Sequence, residues 1–197
     1  DYQHAFAQAL VAEDPRSTSL ELARLVAQPG FAVYRNTVLK GCIDAVAGDP
    51  LSLAAWTELA AGYEAAADTV KTIEALQQML RIAPTNGPLR DLVFKKFLSY
   101  GKPELAQQVA DEGLALDPGN VDLYELRANA RAFRENYSGA LDDLEQIVVL
   151  DSTRADSTFY VKYLVFASQK PDSARLVHWS SLALVKPLMS QNSTVIT

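Results

Sequence analysis

The stretch of sequence that decides the fold is residues 53–86, LAAWTELAAGYEAAADTVKTIEALQQMLRIAPTN. Its pattern predicts two helices that pack against each other. Trp56, Leu59 and Tyr63 recur at helical spacing and form one apolar stripe on the first helix. Small residues at Ala60 in the first helix and Thr72 in the second allow close approach. Pro84 ends the second helix, because the residue before a proline is pushed out of the α region.

Prolines that end a helix recur at a fixed interval along the chain. Pro50, Pro84 and Pro118 are 34 residues apart, and each follows an apolar helical run and a short polar stop. A further interval of 34 residues leads to Ser152. A fixed period of this length is typical of helix–turn–helix repeat arrays. The sequence therefore predicts an all-α chain built from repeated helix pairs.

These units resemble the tetratricopeptide repeat, whose pattern is W-x2-L-G-x2-Y…A-x3-F…P. The resemblance covers about 49–187, in four units at 53–86, 87–120, 121–154 and 155–187. The second unit departs from the pattern at Arg90, where an aromatic residue is usual. The third departs at Arg127 and Arg131, whose stems we expect to cover apolar surface while the heads stay in water. The tail at 188–197 lies outside the repeats.

Residues 1–48 form a separate helical segment in this reading. QHAFAQAL at 3–10 and FAVYRNTV at 31–38 look like the N-terminal helical domain of certain bacterial accessory subunits. Those subunits partner multinuclear iron-dependent oxidases that modify ribosomally made peptides, and their N-terminal domain has also been labelled DNA-binding. The match stops at about residue 46, and the repeat-like stretch begins at about residue 49. A natural fusion, an engineered chimera and a coincidence of helical pattern remain open.

Composition and charge limit the kinds of partner and the cellular compartment that we expect. The net charge of −6 and the isoelectric point of about 4.9 argue against nucleic acid, because phosphate binding needs clustered Lys and Arg. No apolar run reaches the roughly 18 residues of a membrane span. The single cysteine, Cys42, allows no intrachain disulfide. We expect a soluble protein, with the bacterial cytoplasm favoured and the periplasm as the alternative.

No catalytic, metal-binding or cofactor-binding set is predicted. His4 and His178 lie far apart and have no cysteine or carboxylate at metal-ligand spacing. Cys42 is expected to be a small buried residue, and Asp142, Asp143 and Glu145 a solvated acidic face. The sequence therefore predicts a protein that is not an enzyme and holds no cofactor.

In tetratricopeptide proteins the first helix of each unit lines a groove. Three of the residues at groove positions, Phe159, Tyr163 and Phe166, are spaced to share one helix face. With Phe133 they are expected to form an exposed aromatic cluster that docks a partner or the chain's own tail. The resemblance implies that the partner-binding residues are Asp91, Lys95, Glu125, Asn129, Phe133, Phe159, Tyr163 and Phe166.

Two functions follow from these observations. The first is a non-catalytic scaffold that binds a protein or peptide along its repeats. The alternative is a recognition or accessory subunit of a bacterial peptide-modifying enzyme, acting through residues 1–48. A neighbouring iron-oxidase gene with a small cysteine-rich peptide gene would favour the alternative.

Overall fold

The computed structural model describes residues 35–169, so the segments 1–34 and 170–197 lie outside the described residues. The described residues form eight α-helices and one 3₁₀ turn, and no strand occurs among them. The prediction of an all-α repeat fold is confirmed. The helices are α1 (Arg35–Gly48), α2 (Leu53–Ala65), α3 (Thr69–Ile82), α4 (Gly87–Ser99), α5 (Pro103–Leu116), α6 (Val121–Phe133), α7 (Tyr137–Leu150) and α8 (Ser157–Gln169), with the 3₁₀ turn at Ser152–Arg154.

Polar side chains fix where most of these helices begin. The side chains of Ser52, Asp68, Asn120 and Asn136 each accept a hydrogen bond from a backbone N–H in the first turn of the next helix. Such N-caps satisfy donors that the helix itself leaves open. Helix α5 begins instead with Pro103, whose missing N–H costs nothing at that position. The helix starts at residues 53, 87 and 121 follow the 34-residue period.

The chain divides into two compact units between Leu89 and Arg90. In the first unit, α1 packs against α2 through a small apolar core. A Cβ atom on Gly62 would lie 3.3 Å from Leu39 Cδ1 and 3.9 Å from Cys42 Sγ, so the glycine allows this close approach.

Cys42 is buried, as predicted. Burial and the charge of Glu58 raise the pKa of its thiol to about 11, which makes it a poor nucleophile at neutral pH.

The second unit has a larger core that joins α6, α7 and α8. Ala140 in α7 and Ala128 in α6 are completely buried within it. Both stand where the repeat pattern requires a small side chain, because added volume there would force the helices apart. The buried members of this core are Ala128, Ala140, Leu141, Leu144, Ile147, Ala155, Phe159, Tyr160, Tyr163 and Ala167.

A buried arginine takes the place of the usual aromatic residue in α4. Arg90 Nη1 donates a hydrogen bond to the Val109 carbonyl oxygen at 2.6 Å. Gly113 of α5 lies beneath it: a Cβ there would approach Arg90 Cδ to 2.9 Å and Leu123 Cδ1 to 2.8 Å. The long side chain on one helix is thus matched by the absence of a side chain on the other.

This match predicts opposite effects for two glycine substitutions. Gly41, in the middle of α1, would gain a Cβ with no atom within 4 Å. Gly41→Ala should therefore stabilise the protein by about 0.5–1 kcal/mol, the usual helix-propensity gain. Gly113→Ala should destabilise it by about 1–2 kcal/mol, because overpacking outweighs that gain. Urea unfolding followed by circular dichroism measures both, and equal stabilisation by the two changes would contradict the packing described for Arg90.

Four charged side chains form a network between α5, α6 and α7. Arg127 Nη2 donates to Asp143 at 2.8 Å, and Arg127 Nη1 donates to Asp111 at 3.0 Å. Arg131 Nη1 pairs with the other oxygen of Asp143 at 2.8 Å. The Asp143 side chain is only 3% exposed. Burial raises its pKa, and the two arginines oppose that rise.

Two expectations from the sequence are therefore wrong. Asp143 does not belong to a solvated acidic face, and the heads of Arg127 and Arg131 are turned into the protein rather than into water. The physical reason is that three helices converge at this point. A buried carboxylate needs charged partners to remain ionised, and the two arginines of α6 supply them.

Candidate partner-binding face

The last described helix, α8, does not begin where the 34-residue period predicts. Helix α8 begins at Ser157, two residues after Ala155, where the sequence places the start of the unit. The 3₁₀ turn at Ser152–Arg154 takes up extra residues, and Asp156 Oδ1 then caps α8 by accepting from the Phe159 N–H at 2.8 Å. The shift rotates each side chain of α8 by two helical positions relative to the sequence-based assignment.

The shift corrects the predicted aromatic cluster. Phe159 is buried, and Tyr163 is 0% exposed and donates its hydroxyl proton to Glu145 Oε1 at 2.6 Å. Phe166 is half-buried, and its ring lies 6.2 Å from that of Tyr137. Phe133 alone of the four is exposed, at 68%. The expectation that Phe159 and Tyr163 are exposed is wrong, because both point into the core that α8 shares with α7.

The opposite side of α8 carries apolar residues that the sequence reading did not select. Val161 is 62% exposed and Val165 is 51% exposed, and they lie one turn apart on the same face. Thr158 is exposed beside them. With the corrected start of the helix, these three residues stand at the second, fifth and ninth positions of the unit. The signal that could have found them is the polar run DSTRADS at 151–157, which is longer than the stops before the earlier units.

Helix α6 presents the corresponding face one repeat earlier. Asp122 and Phe133 are exposed there, and Glu125 and Asn129 are half-buried. All four occupy the same side of the helix as their counterparts on α8. We name the combined surface the outer face; it consists of Asp122, Glu125, Asn129 and Phe133 of α6 and Thr158, Val161 and Val165 of α8.

Ion pairs hold the two helices together along the outer face. Lys162 of α8 donates to Glu125 Oε1, and Arg154 donates to Asp122 Oδ1 at 2.9 Å and to Glu125 Oε2 at 3.1 Å. Burial alone would raise the pKa of Glu125, but these two cations lower it below its ordinary value. Glu125, a predicted binding residue, therefore also fixes the position of α8.

The two predicted residues on α4 pair with each other. Lys95 Nζ lies 2.5 Å from Asp91 Oδ2, one turn away; the Lys95 side chain is exposed and the Asp91 side chain is partly exposed. The structure places them on a solvent-facing side of α4 but does not bring them into contact with the outer face. Their role in binding stays a prediction.

Metal-ligand clusters and membrane-spanning helices are absent from the described residues. Within 35–169, no group of three His, Cys, Asp or Glu side chains is placed to hold a metal ion. None of the helices in this range is long and apolar enough to cross a membrane. His4 and His178 lie outside the described residues, as does most of the stretch that resembles the accessory subunits, so that resemblance stays a prediction.

No protein-family model matches the sequence, and neither does any curated protein. Solved structures do resemble it. A MamA structure from Desulfovibrio magneticus RS-1 aligns at 13% identity with a TM-score of 0.53, over 91% of this chain and 98% of that one. A second MamA crystal structure gives 12% identity and a TM-score of 0.56, over 92% and 97%.

A tetratricopeptide repeat protein from Parabacteroides merdae ATCC 43184 is also similar in structure. It aligns at 14% identity with a TM-score of 0.51, over 88% of this chain and 66% of that one. At such identities the likeness concerns the fold alone. The chain has the all-helical fold of tetratricopeptide-repeat proteins.

Proposed function

We propose that this protein is a non-catalytic scaffold that binds a peptide or a protein segment on the outer face. The observation that supports this most is the exposure of Phe133, Val161 and Val165 on neighbouring helices. They stand where the first helix of a tetratricopeptide unit lines the groove. Exposed apolar side chains grouped on one surface mark interaction sites more often than scattered ones do.

The polar residues of the same face suit a peptide ligand. The half-buried Asn129 carries an amide that can both donate to and accept from a peptide backbone. It lies one turn before Phe133, an aromatic residue of the kind that dominates binding energies at interfaces. Helix α6 thus provides an apolar side chain that can anchor a peptide and a side-chain amide that can hydrogen-bond to the peptide backbone.

Nucleic acid is a poor candidate for this partner. The chain has a net charge of −6, and the two cations that contact the outer face, Arg154 and Lys162, are paired with its carboxylates Asp122 and Glu125. Binding to phosphates releases counterions only where free Lys and Arg side chains neutralise them. We therefore expect no binding to duplex DNA at physiological ionic strength.

A peptide library displayed on phage tests the proposal with the full chain. Peptides that the protein selects should bind less tightly to the Val161→Asp variant, by about tenfold or more, since a carboxylate would have to be buried against apolar groups. Fluorescence anisotropy measures the affinity. Val149→Asp is the matched control, because Val149 is 76% exposed and lies on α7, which contributes no residue to the outer face.

The outcomes separate the outer face from the rest of the surface. The proposal requires loss of affinity in Val161→Asp and unchanged affinity in Val149→Asp. Equal affinity for both variants would place the binding surface elsewhere. Failure to select any peptide, with a folded protein on the support, would also contradict it.

A further inference from the structure

A cavity lies between α1, α2 and α3 in the first compact unit. Its volume of about 370 Å³ is within the range of ligand sites in proteins. It shares no residue with the outer face. Its wall is mainly apolar and aromatic, and it includes Ile43 and Val46 of α1, Trp56, Leu59 and Tyr63 of α2, and Ala75 of α3.

The same three-helix arrangement recurs in the second compact unit. Helices α5, α6 and α7 begin at residues 103, 121 and 137, each 68 residues after the starts of α1, α2 and α3 at 35, 53 and 69. This offset is twice the 34-residue period, so each residue of the cavity has a counterpart in the second unit. The counterparts of Trp56, Leu59, Tyr63 and Ala75 are Tyr124, Arg127, Arg131 and Asp143.

A guanidinium group occupies the corresponding space in the second unit. Arg127 Cζ lies over the Tyr124 ring, 5.2 Å from its centre. Arg127 Nη2 also donates to Asp143 Oδ1 at 2.8 Å. The cation is thus held between an aromatic ring of α6 and a carboxylate of α7, and both groups stabilise a partly buried guanidinium.

The first unit keeps an aromatic ring and a carboxylate but has no arginine between them. Trp56 Nε1 donates to the Pro50 carbonyl oxygen at 2.9 Å, which fixes the position of the indole ring. Leu59 stands at the position of Arg127. Glu74 lines the cavity from α3 and is exposed, and no described residue pairs with its carboxylate. An arginine from another molecule could therefore supply the missing guanidinium.

One cation of the chain itself also lines the cavity. Lys71 Nζ lies 5.4 Å from the centre of the Tyr63 ring and 3.5 Å from Asp68 Oδ2. This contact is an example of a cation held against the aromatic wall of the cavity. Because Asp68 balances the charge of Lys71, the carboxylate of Glu74 still needs a cation.

We propose that this cavity binds the guanidinium group of an arginine side chain carried by a partner protein. A guanidinium suits the site better than an ammonium does, because its flat face can stack on Trp56 and its edge can donate two hydrogen bonds to Glu74. Ile43 and Glu74 are exposed, so a side chain can enter from solvent. The net charge of −6 favours a basic partner.

Methyl-group NMR of the full chain with a short arginine peptide tests the proposal. The probe is a capped pentapeptide with one arginine between alanines, and the control peptide carries citrulline, which has a similar shape and no charge. The arginine peptide should shift the methyl signals of Ile43 and Val46 in the cavity and leave those of Val161 on the outer face unmoved. The citrulline peptide should bind about tenfold more weakly, since it offers Glu74 no cation.

A pair of surface variants tests the role of the carboxylate. Glu74→Gln keeps the size of the side chain and removes its charge, so the arginine peptide should bind about fivefold more weakly. Asp44→Asn is the matched control, because Asp44 is exposed on α1 and does not line the cavity. It removes the same charge from the same unit and should leave the affinity unchanged. Far-UV circular dichroism shows that both variants are folded.

Several results would overturn the proposal. Equal affinity for the arginine and citrulline peptides would show that the site does not recognise the cation. Unmoved signals at Ile43 and Val46 would show that the cavity is not the site, and equal losses in Glu74→Gln and Asp44→Asn would assign the effect to net charge. If butylguanidinium alone bound as tightly as the arginine peptide, the site would belong to a small free cation and not to a partner protein.

Discussion

Replacing Tyr163 by alanine is expected to lower the free energy of unfolding by about 3–5 kcal/mol, as for large aromatic residues in other cores. Tyr163 is completely buried and packs with Phe159 and Ala167 in the core that joins α8 to α7. Removing the ring would leave a cavity and remove the hydrogen bond of 2.6 Å that the Tyr163 hydroxyl donates to Glu145 Oε1. A loss of this size is a large part of the stability of an ordinary domain.

Two further variants separate the causes. Tyr163→Phe keeps the ring and removes only the hydrogen bond to Glu145, so it should cost about 1 kcal/mol. Val161→Ala, two residues away on the exposed side of α8, should change stability by less than about 0.5 kcal/mol. Urea unfolding measures all three. If Tyr163→Ala were as stable as Val161→Ala, the two-residue shift of α8 would be wrong.

Replacing Asp143 by alanine is expected to destabilise the protein by about 3 kcal/mol, the lower end of the cost of breaking a buried ion pair. Among the described residues Arg127 would keep Asp111 as its charged partner, and Arg131 would lose the oxygen that it contacts at 2.8 Å. The neighbouring residue Asp142 is exposed and serves as the control. Asp142→Ala should change stability by less than about 0.5 kcal/mol.

Thermal unfolding compares the two aspartate variants directly. A large difference between them is the expected result, since the two carboxylates are adjacent in sequence and differ mainly in burial. Similar small losses would mean that Asp143 is solvated, as the sequence pattern alone suggested. Similar large losses would mean that the whole acidic run contributes to the core.

The helix pairs could be predicted because their signals are local. Pro50, Pro84 and Pro118 mark the stops, and the capping side chains at Ser52 and Asn120 mark starts that keep the same period. Each of these acts on the backbone within a few residues. The fold class and the starts of α2, α4 and α6 therefore follow from the sequence with no knowledge of tertiary contacts.

The proposed binding face could not be predicted as fully as the fold, because the exposed side of α8 depends on the residue at which that helix begins. A shift of two residues at α8 exchanges the buried and exposed sides, and it arises from the 3₁₀ turn at Ser152–Arg154. The fixed 34-residue interval predicted Ala155 as the start and so placed Phe159 and Tyr163 in the groove. Val161 and Val165 were overlooked for the same reason.

Residues on different helices that compensate for each other could not be recognised from single positions of the sequence. Arg90 departs from the repeat pattern, and so does Gly113 in the same repeat unit, 87–120. Gly113 stands at the position where the repeat unit 53–86 has the large side chain of Met79. Reading the two departures together would have predicted that one fills the space of the other. Asp143 and its arginines were missed similarly, since no pattern within one helix reveals a partner on the next.

Methyl-group NMR is the measurement that tests the central claim most directly. A phage-selected peptide is added to protein carrying labelled valine methyl groups, and the chemical shifts are followed during the titration. We predict that the methyl signals of Val161 and Val165 shift as the peptide binds and that those of Val149 do not. Shifts at Val149 with unmoved signals at Val161 and Val165 would contradict the account, because they would place the peptide on α7 and not on the outer face.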